Sequence, residues 1–282
     1  MSHEKNKNFK FKHSLGQNFI TDEFLLEDIA DESGINKNDL VLEIGPGNGA
    51  LTRCLCDRAK YVVTVEIDKT LIPLLKSNLK EYDNVSIINA DFLDYDFLNI
   101  LKEFQGEEVM HFKPAIKVVA NLPYYITSPI IQNLLQNPFI SEMTLMVQKE
   151  VAERIVAVPS TKDFGILTLS CNYFADTEMI MLVSKECFFP KPKVDSAVVH
   201  FIKHNEFINT DVANIVHEDC EKLFKLIKAS FAQRRKKLLN SLTNAGYDKE
   251  ILATAFSKLN FDENVRAENL SLDDYKALLN LI

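Results

Sequence analysis

Short apolar runs alternate with helical segments between residues 40 and 147, and no other feature of this 282-residue chain constrains its fold as strongly. Each run has the length and composition of a buried strand, and the segments between them have apolar residues at helical spacing. The predicted strands are residues 40–44, 61–66, 85–89, 116–120 and 143–147. This alternation predicts an α/β fold with a doubly wound, mostly parallel sheet, in which ligands bind at the carboxyl ends of the strands.

A different organisation begins after residue 150. A β-rich stretch covers residues 178–202, and from residue 205 onward only helical periodicity remains. Turn-forming residues at 204–206 and 209–211 favour a domain boundary there. We predict a basic N-terminal arm (1–20), an α/β domain (21–207) and a small all-α C-terminal domain (208–282).

Composition excludes several classes of protein. Apolar residues make up 46% of the chain, enough for a packed core, but no run of eighteen apolar residues is present to span a membrane. Residues 1–13 are charged and lack an apolar segment, so they do not resemble a secretory signal. The five cysteines are scattered, which favours free thiols in a reducing cytoplasm and no metal site.

A glycine-rich loop (GPGNG) follows the first predicted strand. Its glycines are not spaced as in the dinucleotide fingerprint, and Glu43 precedes it, which is unusual for a site built around pyrophosphate. An acid beside a close backbone turn suits a cationic ligand such as S-adenosyl-L-methionine, which carries a sulfonium and an ammonium group. Glu66 ends the next strand, where its carboxylate could accept both ribose hydroxyls. Asp91 follows the third strand, where it could accept from the adenine amino group.

The fourth predicted strand leads into Asn121-Leu122-Pro123-Tyr124, a sequence that suits methyl transfer to the exocyclic amine of adenine. The lone pair of that amine is delocalised into the ring, so two acceptors aimed at its hydrogens would help to localise it. The Asn121 side-chain oxygen and the Leu122 carbonyl can supply both. Pro123 restricts the backbone, and the ring of Tyr124 offers a face on which a base can stack. Such catalysis relies on position and electrostatics rather than on a general base.

Seven segments together resemble the ribosomal RNA adenine N6-dimethyltransferase family. They are residues 14–19 (SLGQNF), 43–49 (EIGPGNG), 121–124 (NLPY), 148–154 (QKEVAER), 188–196 (FFPKPKVDS), 231–236 (FAQRRK) and 266–269 (RAEN). The resemblance covers about residues 10–280, and the order and spacing of the segments make it specific. It implies a Rossmann-like class I methyltransferase domain with S-adenosyl-L-methionine as the cofactor.

The family has two main bacterial branches that differ in substrate. One dimethylates two adjacent adenines in a hairpin loop near the 3′ end of 16S rRNA during small-subunit assembly. The other methylates one 23S rRNA adenine and confers macrolide resistance. Leu122, Asp195 and residues 266–269 are typical of the first branch, although Tyr125 stands where several of its members carry Asn. We therefore expect the 16S enzyme, with the 23S enzyme as the alternative.

The resemblance also implies roles for individual residues. The expected cofactor contacts are Asn18, Ile20, Gly45, Gly47, Glu66, Ile67, Asp91, Phe92 and Asn121, and the expected catalytic residues are Asn121, Leu122, Pro123, Tyr124 and Phe188. Phe188 would lie against the other face of a flipped adenine from Tyr124, and two aromatic faces would help to offset the cost of extruding the base. Core packing beside Phe189 is the alternative interpretation of Phe188, in a chain with 19 phenylalanines.

Charge is distributed unevenly along the chain. The net charge is −8, yet residues 222–247 include seven basic residues and no acid. The expected RNA contacts in this segment are Lys222, Lys225, Lys228, Arg234, Arg235, Lys236 and Lys237. A solvated helix face is the alternative, but the absence of acids favours phosphate binding. Because an acidic protein should bind free RNA weakly, we expect a cytoplasmic monomer that acts on 16S rRNA within the small (30S) subunit or its assembly intermediate.

Functions of other classes fit these motifs less well. A non-catalytic assembly or transcription factor on the same fold would not need an intact glycine loop, Asn121 and Tyr124. A DNA adenine methyltransferase usually carries Pro where Leu122 stands. The spacing of the glycines disfavours an NAD-dependent dehydrogenase.

Overall fold

A computed structural model describes residues 18–105, 115–210, 218–233 and 235–282. Its strands are β1 (Phe19–Ile20), β2 (Leu40–Ile44), β3 (Tyr61–Glu66), β4 (Val85–Asn89), β5 (Ile116–Asn121), β6 (Ile140–Gln148), β7 (Ala175–Val183), β8 (Phe188–Phe189) and β9 (Ser196–Lys203). Its α-helices are α1 (Glu23–Glu32), α2 (Ala50–Arg58), α3 (Ile72–Asn78), α4 (Phe97–Gln105), α5 (Thr127–Gln136), α6 (Lys149–Ile155), α7 (Ile166–Phe174), α8 (Glu218–Phe231), α9 (Leu238–Asn244), α10 (Lys249–Lys258) and α11 (Leu272–Leu279).

The central sheet of the described residues has seven strands in the order β4-β3-β2-β5-β6-β9-β7. β4, β3, β2, β5 and β6 run parallel to one another, and β9 is antiparallel to both β6 and β7. The predicted mostly parallel, doubly wound sheet is therefore confirmed. β2, β3 and β4 have the predicted bounds, whereas β5 extends to Asn121 and β6 is longer than predicted at both ends.

The region after β6 contains elements that periodicity did not separate. The β-rich stretch consists of β7, β8 and β9, and β8 leaves the sheet to pair with β1. The sequence did not predict α7, because seven of its nine residues are buried and it has no polar face to reveal a helical period.

Alternating residues of the strands pack into two layers of core. Leu40, Leu42 and Ile44 of β2 belong to a large cluster with α4, α5 and α7, whereas Val41 belongs to a second cluster with α1 and α2. This is the period of two expected for a strand covered on both faces.

The helices after residue 218 pack against the first of these clusters. The ring of Phe174 lies 5.0 Å from that of Phe207 and 6.2 Å from that of Phe224 on α8. The division between residues 207 and 208 stays a prediction, as does the arm, since residues 1–17 lie outside the described chain. None of the described helices is both long and apolar enough to cross a membrane.

Candidate active site

The glycine loop between β2 and α2 adopts a backbone that other residues rarely accept. Gly45, Gly47 and Gly49 have φ values of +72°, +60° and +82°. A Cβ on Gly49 would lie 2.7 Å from Leu75, and one on Gly47 would overlap the ring of Phe19. The loop therefore needs glycine for its turn and for the close approach of its neighbours.

Glu66, at the end of β3, connects this loop to the sheet. Its Oε2 accepts a hydrogen bond from the Gly47 amide at 3.1 Å, and its Oε1 accepts one from the Asp68 amide at 2.8 Å. The residue is 4% exposed, and burial raises the pKa of its carboxyl. Because each carboxylate oxygen can accept two hydrogen bonds, Glu66 can hold the loop and still accept from a ligand hydroxyl.

Glu43 lies inside β2, two residues before the loop. Its Oε2 accepts a hydrogen bond from Thr52 Oγ1 at 2.6 Å, and the residue is 2% exposed. Burial raises the pKa of Glu43 to about 8. The carboxyl therefore holds a proton at neutral pH, and a cation in the cleft would favour its ionised form.

Asn121 ends β5 and lines the cleft beside the glycine loop. Its Nδ2 donates to the backbone carbonyl of Asn18 at 3.2 Å, so Oδ1 is left as the acceptor. The backbone amide of Leu122 donates to the carbonyl of Met146 at 3.1 Å, and the residue is 1% exposed. Leu122 is thus a core residue that also borders the cleft, and its backbone is held by β6.

The two aromatic residues predicted to stack on the base, Tyr124 and Phe188, differ in exposure, because Tyr124 is half-buried and Phe188 is buried. Tyr124 lines the cleft, and its hydroxyl lies 2.7 Å from Ser196 Oγ. Phe188 pairs with Ile20 across the β1–β8 ladder and is 4% exposed, whereas Phe189 is 60% exposed. In this conformation Phe188 packs in the second core cluster, so its stacking on a base stays a prediction.

One cleft brings together most of the predicted site. Its empty volume is about 740 Å³, a figure that includes the solvent at its open mouth. Of the predicted residues, those that line it are Asn18, Ile20, Gly45, Gly47, Glu66, Ile67, Asn121, Leu122, Pro123 and Tyr124. Asp91 and Phe92 do not: Asp91 Oδ1 accepts from the Leu93 amide at 3.0 Å, and Phe92 is a core residue.

The cleft also has walls that the sequence analysis did not identify. Phe19, Leu26, Leu51 and Leu71 contribute apolar surface to it. Phe19 falls within a motif used for the family resemblance, but nothing in its local pattern indicates that it covers Gly47. Within the described residues, no group of three or more His, Cys, Asp or Glu side chains could hold a metal ion.

The basic segment is divided between a helix and a turn. Lys222, Lys225 and Lys228 are exposed on α8, and Lys222 forms an ion pair of 2.7 Å with Glu218. The helix ends at Phe231, and residues 235–237 are exposed before α9 begins. Arg234 lies outside the described residues.

Fold and site together define a class of enzyme. A Rossmann-like sheet, a glycine loop held by an acidic strand end and Asn-Leu-Pro-Tyr after β5 are the features of a class I methyltransferase. Comparison with known proteins narrows this class to one family. The family model for ribosomal RNA adenine dimethylase matches residues 8–282, so the chain belongs to the ribosomal RNA adenine dimethylase family.

Individual relatives agree with this assignment. The chain is 45% identical to Ribosomal RNA small subunit methyltransferase A of Lachnoclostridium phytofermentans, over 97% of this chain and 92% of that protein. Its identity to the protein of the same name from Clostridium acetobutylicum is 41%, over 96% and 93% of the two chains.

Solved structures show the same likeness at greater distance. A dimethyladenosine transferase from Plasmodium falciparum aligns with a TM-score of 0.73 at 26% identity, over 92% of this chain and 95% of that one. The 23S rRNA methyltransferase ErmE aligns with a TM-score of 0.69 at 26% identity, over 93% and 98%.

Proposed function

We propose that this enzyme uses S-adenosyl-L-methionine to dimethylate N6 of two adjacent adenines in the 3′-terminal hairpin loop of 16S rRNA. The observation that carries the chemistry is Asn121 in the lining of the cleft, where Nδ2 donates to the Asn18 carbonyl and Oδ1 is left to accept. The choice of substrate is supported by relatives at 41–45% identity whose name specifies the small ribosomal subunit.

The residues of the cleft fit the cofactor. Gly47 has no side chain, so the ring of Phe19 packs directly against the loop as one wall of the cleft. Glu66 keeps acceptor capacity for ribose hydroxyls. Glu43 can neutralise a cationic group by releasing its proton, and Ile67 supplies exposed apolar surface beside Glu66. When bound, the cofactor supplies an electrophilic methyl group. Asp91 and Phe92 do not line the cleft in this structure, and they remain proposed contacts to the adenine of the cofactor.

At the target base, the protein supplies acceptors and a stacking face. Asn121 Oδ1 and the Leu122 carbonyl accept from the N6 hydrogens and favour a localised lone pair. The ring of Tyr124 stacks on the extruded adenine, with Phe188 on its other side. The methylated amine is cationic and loses its proton readily to solvent, so no side chain has to act as a base.

Recognition of RNA falls to the helical region, residues 208–282. Exposed lysines on α8 and residues 235–237 provide a basic surface on a chain of net charge −8. Such a surface suits docking on a structured particle, so the substrate is the 30S subunit or its assembly intermediate. The enzyme acts there as a monomer, in the cytoplasm where subunits assemble.

Methyl transfer to ribosomal particles tests the proposal. Undermethylated small and large subunits are incubated with labelled S-adenosyl-L-methionine, and the modified nucleotides are mapped by mass spectrometry. Dimethyladenosine at two adjacent positions of 16S rRNA is the expected result. Label confined to 23S rRNA would instead identify the enzyme of the resistance branch, and no label on either particle would exclude both.

The variant Asn121→Ala tests the site itself. It should lose about 100-fold or more of its methyl transfer, because one preorganised polar contact at a transition state is worth that much. Asn121→Asp, which keeps an acceptor oxygen, is the matched control and should retain more activity. Near-wild-type turnover by Asn121→Ala would contradict the mechanism.

A further inference from the structure

Ser196 connects Tyr124 of the active site to β9, the strand between β6 and β7. It is the first residue of β9, is fully buried, and lies opposite Gln148 of β6 and Val183 of β7. Its Oγ lies 2.7 Å from the hydroxyl of Tyr124, which is 72 residues earlier in the chain. The hydroxyl end of the Tyr124 side chain is therefore held by an interior strand of the sheet.

Asp195, the preceding residue, closes a loop. Its Oδ1 accepts from the Lys185 amide at 3.0 Å, and its carbonyl accepts from the Lys149 amide at 3.0 Å. The first bond joins the two ends of the segment 185–195, which carries β8 and therefore Phe188. The second bond attaches the base of this loop to the start of α6.

We propose that Asp195 and Ser196 are positioning residues for the adenine site, Ser196 for Tyr124 and Asp195 for the loop that carries Phe188. The inference rests on the base-binding role given above to the two aromatic residues. Stacking requires a fixed ring plane, and an aromatic side chain attached only at Cα can turn about two torsions. The hydrogen bond at the Tyr124 hydroxyl removes that freedom. Because Asp195 and Ser196 are adjacent, the positions of both aromatic rings are fixed relative to the start of β9.

A double-mutant cycle tests the role of Ser196. Ser196→Ala and Tyr124→Phe remove the same hydrogen bond from its two ends. Each should lower kcat/KM for the small subunit about 3- to 10-fold, the usual net worth of one hydrogen bond. Cofactor affinity measured by calorimetry should stay unchanged.

The double variant is the decisive measurement. If Ser196 acts through Tyr124, Ser196→Ala together with Tyr124→Phe should lose no more than the worse single variant. Additive losses would overturn the inference, because they would show that Ser196 affects the reaction independently of Tyr124. A fall in cofactor affinity would overturn it as well, since it would indicate general damage to the cleft.

Asp195 has its own matched pair of variants. Asp195→Asn keeps Oδ1 as an acceptor for the Lys185 amide and should retain wild-type kcat/KM, whereas Asp195→Ala should lose about 3- to 10-fold. Equal activity of the two variants would overturn the role of Asp195. The proposed function is tested separately: inactive Asn121→Ala with fully active Ser196→Ala would preserve that function and remove this inference alone.

Discussion

Among individual residues, two buried acids dominate the electrostatics of the cleft. Glu43 bonds to a threonine hydroxyl and Glu66 to backbone amides, and burial raises the pKa of both carboxyls. Neither acid has an ion-pair partner among the described residues. A cationic ligand in the cleft would lower the pKa of these carboxyls and so favour their negatively charged forms.

Replacement of Glu43 should change the pH dependence of stability. Its pKa is about 8 in the folded protein and near 4.5 in the unfolded chain, so the folded state binds more protons between these values. Stability contributed by this group therefore falls as pH rises from about 4.5 to about 8. Glu43→Gln keeps an acceptor for Thr52 and removes this loss. In urea unfolding of ligand-free protein, its stability relative to wild type should rise by roughly 1–4 kcal/mol between pH 5 and pH 8.

A stability difference that does not change with pH would contradict this prediction. Thr52→Val provides a control for the hydrogen bond alone. It should destabilise the protein, and it should not remove the dependence on pH.

Among the elements, β1 has only two residues, as does β8, yet it contacts several parts of the site. Its two residues pair with β8, and the ring of Phe19 lies against Gly47. The backbone carbonyl of Asn18, just before β1, accepts a hydrogen bond from Asn121 Nδ2. The amide and hydroxyl of Thr21, which follows β1, both donate to the carbonyl of Cys187. β1 thus joins the glycine loop, Asn121 and the loop that carries Phe188.

Gly47→Ala tests this connection. The new methyl group would occupy the position of the Phe19 ring, and φ of +60° is strained for alanine. β1 should be displaced from the cleft, and calorimetry should show at least a 10-fold loss of cofactor affinity.

Gly165→Ala is the matched control, because a Cβ there meets no atom within 4 Å and the backbone is extended. Its cofactor affinity should equal that of the wild type. If Gly47→Ala also bound the cofactor normally, Phe19 would not be held in place by contact with the loop.

At the scale of the whole molecule, the basic surface has two parts, α8 and residues 235–237, that differ in their charged partners. Residues 235–237 are exposed and have no ion pair within the described chain, whereas Lys222 is paired with Glu218. Ion pairing within α8 thus distinguishes basic residues that composition treats alike.

Neutralisation of this turn should weaken docking. The double variant Arg235→Gln, Lys236→Gln should bind the small subunit about 10-fold more weakly, and the dependence of affinity on salt should become shallower, because fewer counterions are released. Cofactor affinity should not change. Lys222→Gln is the control, and its effect should be smaller. If the double variant and the wild type bound the small subunit with equal affinity, these residues would be solvated surface residues with no role in docking.

The sequence by itself determined the parallel part of the sheet and its functional edge. β2, β3 and β4 have the predicted bounds because each is a short apolar run that ends in glycine or a polar residue, and local composition suffices to recognise such runs. The glycine loop, Glu66 and Asn121 were predicted to meet, since the carboxyl ends of parallel strands share one edge.

Only the tertiary structure decided which side chains are buried and what holds them. Phe188 and Phe189 are neighbours with the same local pattern, yet one is 4% and the other 60% exposed, because β8 pairs with a strand near the N-terminus. The bond between Tyr124 and Ser196 likewise spans 72 residues. Periodicity reports contacts within one element, whereas these contacts depend on which distant elements pack together, and that is decided by the folded chain as a whole.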